Sequence, residues 1–142
     1  MKTIDELLRT KGREIHSISP DATVYDAIAA MAEKAVGALV VMQEGTLAGI
    51  ISERDYARKV ILQNRSSRDT PVRDIMTSQV ICASPGDTIE SAMKLMTDRR
   101  IRHLPVEQAG QICGMISIGD LVKAIIDEQR FAISQLETYI SS

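Results

Sequence analysis

The residues best equipped for chemistry are a serine and an aspartate that occur twice in the same setting. Gly49-Ile50-Ile51-Ser52-Glu53-Arg54-Asp55 returns 65 positions later as Gly114-Met115-Ile116-Ser117-Ile118-Gly119-Asp120. A strand that ends in Ser and turns into a helix with Asp on its first turn gathers a hydroxyl, a carboxylate and free backbone N–H groups at one spot. A carboxylate only accepts hydrogen bonds, so it suits a vicinal diol, which can donate two. The constellation fits a ribose that carries phosphate. Ser-x-x-Asp is also the spacing of a helix-capping box, in which Ser holds the third N–H and the acidic side chain reaches back. The two roles can coexist, because a site without ligand must satisfy those N–H groups in some other way.

Charge separates the two copies. Arg54 lies inside the first motif and Arg58 one turn on, where the second has Gly119 and Lys123. Conversely, Arg102-His103 stands where the first half has Gly37-Ala38. Two sites built on these copies should differ in affinity and in phosphate preference.

The elements that must position these residues are legible in outline. Thr3-Ile4-Asp5-Glu6 has the form of a capping box, and Ile4, Leu7 and Leu8 share one helical face before a Gly12 stop. Residues 1–13 read as a short helix packed on the body. Residues 14–19 read as a strand broken at Pro20, and Thr23 opens a helix with Val24, Ala27, Ile28 and Met31 at helical spacing. The apolar run 36–42 reads as a buried strand, Gln43-Glu44-Gly45-Thr46 as a hairpin turn, 47–52 as the return strand and 53–63 as a helix. The order is β-α-β-β-α over residues 14–63. Residues 64–78 form a polar linker closed by one helical turn after Pro71.

Residues 79–126 repeat the pattern without a gap. Ser19-Pro20 matches Ser84-Pro85, Thr23 matches Thr88, Met31 matches Met96 and Gly45 matches Gly110. The unit is too long for a solenoid repeat, so it reads as a tandem duplication. Beyond it, residues 127–142 extend the last helix. Val122, Ile126, Gln129, Ile133, Leu136 and Ile140 alternate steps of four and three, a heptad-like seam expected to meet a second subunit.

Composition narrows the function classes. The 142 residues are 44% apolar and 25% charged, with no Trp, one Phe, three Tyr and a net charge of −2. That balance speaks against nucleic-acid binding by stacking or by a basic surface. No apolar run approaches membrane-spanning length and no signal-peptide core opens the chain, so the cytoplasm is the expected compartment. Cys82 and Cys113 sit in apparent strands without metal-ligand spacing and read as buried thiols. No nucleophile–base pair, glycine-rich phosphate loop or metal-ligand set marks an enzyme.

The paired Gly-apolar-apolar-Ser-x-x-Asp motifs, the β-α-β-β-α order, Asp74-Ile75-Met76-Thr77 and the Arg102-His103-Leu104-Pro105-Val106 strand together resemble a tandem CBS-domain pair, or Bateman module. The resemblance covers nearly all the chain. It implies an α/β fold of two βαββα repeats packed about a pseudo-twofold axis, with clefts between them and a homodimer as the usual assembly. It further implies a non-catalytic module that binds an adenosine-containing ligand (AMP, ADP, ATP, NAD or S-adenosylmethionine) and regulates a partner protein not named by the sequence. Asp55 and Asp120 then map onto the ribose-binding carboxylate, Ser52 and Ser117 onto the hydroxyl beside ribose or phosphate. Arg54, Arg58, Arg102 and His103 become phosphate-ligand candidates, since forked donors fit phosphate oxygens. Ile15 and Val80 on the first strands, with Ile51 and Ile116, become walls of an adenine slot. The alternative is a structural dimerisation module without functional ligand binding.

Overall fold

In chain order the elements are α1 (Ile4–Lys11), β1 (Ser17–Ile18), α2 (Val24–Lys34), β2 (Ala38–Gln43), β3 (Thr46–Ser52), α3 (Glu53–Tyr56), α4 (Ile89–Arg99), β4 (His103–Gln108), β5 (Gln111–Ser117) and α5 (Ile118–Ser141). They come from a computed structural model that describes residues 2–141. The chain divides into two units: Glu14–Ile81, and the described residues up to Arg13 together with those from Cys82 onward. No helix among the described residues is long and apolar enough to cross a membrane.

In the first unit, the Thr23 hydroxyl accepts the Asp26 N–H and starts α2, which buries Val24, Ala27 and Met31. These pack with Leu39 and Val41 of β2, Ile51 of β3, and Val60, Val72 and Ile75. β2 pairs antiparallel with β3, placing Ala38 opposite Ser52, with a bulge between Val41 and Met42. The hairpin turns on Glu44 (φ 52°) and Gly45 (φ 77°), the two positive φ values that a two-residue turn of right-handed twist requires. After α3 the helix continues through Ala57–Ile61 with π-type geometry, the Leu62 N–H reaching Ala57 O at 3.1 Å. The polar linker is docked against the unit. Tyr25 N–H donates to Ser67 O at 3.0 Å, the Arg68 guanidinium lies 3.9 Å from the Tyr25 ring centre, and buried Thr70 donates to Ser66 O at 2.6 Å. A 3₁₀ turn, Val72–Asp74, follows, and Thr77 then bridges to Ile50 at the edge of β3.

The second unit repeats this design down to single dihedrals. Thr88 caps α4 through the Ser91 N–H. Ala109 (φ 52°) and Gly110 (φ 79°) form its hairpin turn, and Arg100 (φ 55°) ends α4 as Ala35 (φ 55°) ends α2. β4 and β5 place His103 opposite Ser117, with the bulge now between Val106 and Glu107.

The leading strands fall short of the expectation. Only Ser17–Ile18 pairs in the first unit, parallel to β2, so Ile15 lies outside the sheet. Val80 and Cys82 lie in no strand, and that edge of β4 carries a single bridge, Ala83 to Val106. The cause is Pro105. In the first unit the Val40 N–H donates to His16 O at 3.2 Å, whereas its counterpart Pro105 has no N–H to give. Pairing therefore begins only at Ala83, whose N–H reaches Pro105 O at 2.9 Å.

Each unit carries a segment from outside its β-α-β-β-α core. In the first, Met76 and Thr77 lie against Gly49: an added Cβ there would come 2.7 Å from Thr77 O. In the second, α1 takes that place, with Leu8 against Gly114. α1 starts at the Thr3 cap, ends at Gly12 (φ 109°) and buries Ile4, Leu7 and Leu8. Beyond Ala124, α5 leaves its apolar residues largely exposed, Phe131 at 67%, Leu136 at 61% and Ile140 at 80%.

Candidate functional site

Both Ser-x-x-Asp motifs close into reciprocal hooks at a strand-to-helix turn. In the first, the Ser52 N–H donates to Asp55 Oδ2 at 3.0 Å, the Ser52 hydroxyl donates to the same oxygen at 3.1 Å, and the Asp55 N–H donates back to Ser52 Oγ at 3.2 Å. In the second, the Ser117 N–H donates to Asp120 Oδ2 at 2.8 Å and the Asp120 N–H to Ser117 Oγ at 3.2 Å. These are capping boxes with aspartate at the third helical position. The local cause is shared: β3 and β5 deliver Ser in extended backbone, and the next residue's N–H is held by the residue just before the neighbouring strand. Glu53 N–H donates to Gly37 O at 3.1 Å, and Ile118 N–H to Arg102 O at 2.9 Å.

Neither carboxylate is sealed off. The Asp55 side chain keeps 14% of its surface exposed and that of Asp120 keeps 25%. Each is met by a lysine. Lys59 Nζ lies 3.2 Å from Asp55 Oδ1 and donates to Ile75 O at 2.9 Å. Lys11 Nζ lies 2.7 Å from Asp120 Oδ2 and also donates to the Met115 carbonyl. Burial works to raise the pKa of Asp120, but the Lys11 ammonium and the Ser117 N–H outweigh it and hold the carboxyl below its ordinary range.

The other candidates are distributed as follows. His103, half-buried, is the cross-strand partner of Ser117, and Arg102 precedes it with an exposed side chain, so both stand beside the second hook. Arg54, half-buried, is in α3, and Arg58, exposed, is in the π-type turn after it. Ile51 and Ile116 are fully buried and present no surface to a ligand; Ile51 belongs to the first unit's own core. Of the four slot candidates, Ile15 is 36% exposed and Val80 half-buried. Sequence reasoning missed both lysines. Lys59 stands four residues after Asp55, a spacing that brings helical side chains together and could have exposed it. Lys11 had no such signal, being 104 residues from Met115.

Burial raises the pKa of the half-buried Cys82 thiol, and the Glu107 carboxylate adds to the effect, so the environment favours the thiol over the thiolate.

The model of the CBS domain matches the chain twice, over residues 5–62 and 72–127. The CBS domain-containing protein CBSX3, mitochondrial, of Arabidopsis thaliana is 46% identical over 147 residues, spanning 97% of this chain and 71% of its own. A solved protein with CBS domains from Burkholderia ambifaria MC40-6 is 48% identical with a TM-score of 0.87, covering 90% of this chain and 96% of its own. The CBS domain pair of protein MJ0100, solved with 5′-methylthioadenosine and S-adenosyl-L-methionine, shares the fold at 20% identity and a TM-score of 0.80, over 90% of this chain and 98% of its own.

Proposed function

This chain belongs to the CBS-domain family, with two copies in tandem, and from that premise we propose that it is a non-catalytic regulatory module that binds an adenosine-containing ligand at its Ser-x-x-Asp hooks. The observation that carries the reading is the pairing of Ser52 with Asp55 and of Ser117 with Asp120 at two partly exposed strand-to-helix turns. A ribose diol donates to the carboxylate, and the cations at hand take phosphate: Arg54, Arg58 and Lys59 around the first hook, Arg102, His103 and Lys11 around the second. AMP, ADP, ATP, NAD and S-adenosylmethionine share the ribose and differ in the charge beyond it. MJ0100, as a fold neighbour, supports this ligand class without selecting among its members. Ile15, 36% exposed, and Val80, half-buried, are the adenine contacts proposed. Two free thiols fit a reducing compartment, and the cytoplasm is the compartment proposed.

The exposed seam of α5 favours a homodimer, whose change on ligand binding would be passed to a regulated protein. A structural dimerisation module would share that seam and lack the ligand. Thermal unfolding separates the two. A ligand at a hundred times its dissociation constant adds about 2.7 kcal/mol of stability. A raised midpoint with at least one of the five compounds is expected; no shift with any of them would leave dimerisation alone.

A further inference from the structure

The second hook is closed by a residue that its own repeat does not supply. The position matching Lys59 is Ala124, so no lysine stands four residues beyond Asp120, and Lys123, three residues beyond, is exposed. Lys11 of α1 provides the cation, 2.7 Å from Asp120 Oδ2, and its ammonium also binds the Met115 carbonyl of β5. α1 is held to the same unit by the Ile4 N–H on Asp87 O at 2.8 Å, the Asp5 N–H on Pro85 O at 2.9 Å and Leu8 against Gly114. The first unit makes the same kind of tie with the donor reversed. There Lys59, beyond the hook, reaches Asp55 and the Ile75 carbonyl of the segment that covers β3.

The lone pairs decide what a ligand must displace. A carboxylate oxygen accepts two hydrogen bonds, and Asp120 Oδ2 already holds two, from Ser117 N–H and from Lys11. A diol that bonds to both carboxylate oxygens must remove one of them. The Ser117 N–H is backbone, fixed by the end of β5, whereas the lysine side chain can swing away. We propose that Lys11 is a positioning residue that ties α1 to the second hook, and that a ribose seated on Asp120 displaces its ammonium and loosens the last turn of α1. The displacement half rests on the ribose reading above; the tie itself does not. α1 thus reports occupancy of the second hook and offers a regulated partner a segment that changes when ligand binds.

Amide hydrogen exchange of the full chain tests this, read at the last turn of α1, where the Gly12 N–H donates to Leu8 O at 2.7 Å. Without ligand, Asp120→Asn and Lys11→Met should each speed exchange there about three- to tenfold, as loss of a partly buried ion pair would. The double variant should exceed neither single one, and Lys11→Arg should stay near wild type. In Asp55→Ala protein, saturating AMP should speed the same amides to the Lys11→Met level, and should change nothing further once Lys11 is Met. Unchanged exchange in Asp120→Asn overturns the tie. AMP binding with α1 unaltered overturns the displacement. If AMP does not bind, whichever of ADP, ATP, NAD and S-adenosylmethionine does bind takes its place in the same experiment; absence of binding by all five overturns the displacement together with the ribose reading, while the tie is still judged by the ligand-free variants.

Discussion

At the scale of single residues, Ser and Asp were readable as a pair because their spacing carries a mechanism, whether capping or binding. The structure shows the capping in full and leaves both carboxylates reachable. Their lysines were not equally readable: one follows from helix periodicity, the other from a fold that brings α1 to β5. The lysine on Asp120 has a pH consequence. The folded-state pKa of Asp120 lies below the ordinary value of 3.8, so its contribution to stability is present above that value and is lost as pH falls through the folded pKa. Wild type should therefore be more stable than Asp120→Asn at neutral pH, and the gap should close on acidification below 3.8, as denaturant midpoints would record. The two motif glycines make a second test. Gly49→Ala drives a methyl to 2.7 Å from a backbone oxygen, while Gly114→Ala meets the end of the flexible Leu8 side chain at 2.8 Å. Overpacking costs about 1–3 kcal/mol, so the first substitution should lower the unfolding midpoint clearly and more than the second.

At the scale of elements, helices and hairpins followed from local signals: Thr3, Thr23 and Thr88 cap the helices they precede, and Gly45 and Gly110 turn the hairpins. The leading strands did not, because a parallel edge strand depends on the donor opposite it. Val40 offers one and Pro105 does not, a difference invisible in residues 14–19 or 79–84 themselves. The linker 64–70 carries no period, yet Thr70 is buried, since its contacts are backbone hydrogen bonds rather than a repeating apolar face. The heptad steps of α5 were readable, and Phe131, Ile133, Leu136 and Ile140 lie exposed along it. If that seam joins two copies, ending the chain before Phe131 should turn a dimer into a monomer by light scattering. Thermal stability at high dilution should change little; a dimer that survives truncation would place the interface elsewhere.

At the scale of the whole molecule, duplication was the most legible feature, because one offset ties together turns, caps and hooks. Ala35 with Arg100 and Glu44 with Ala109 extend it to backbone dihedrals that no residue type announces. What duplication does not preserve is charge: Arg54 and Lys59 are matched by Gly119 and Ala124, and Arg102 and His103 by Gly37 and Ala38. A charged hydrogen bond contributes about 1.5–3 kcal/mol, so losing one carboxylate should weaken its site roughly ten- to a hundredfold. The central claim is that both carboxylates grip the ribose of an adenosine-containing ligand, with unequal strength. Titration calorimetry of AMP, ADP, ATP, NAD and S-adenosylmethionine against wild type, Asp55→Ala and Asp120→Ala tests it most directly. Two unequal sites are predicted for at least one ligand in the wild type, with a different site lost in each variant. Binding that is absent throughout, or identical in all three proteins, would contradict the account.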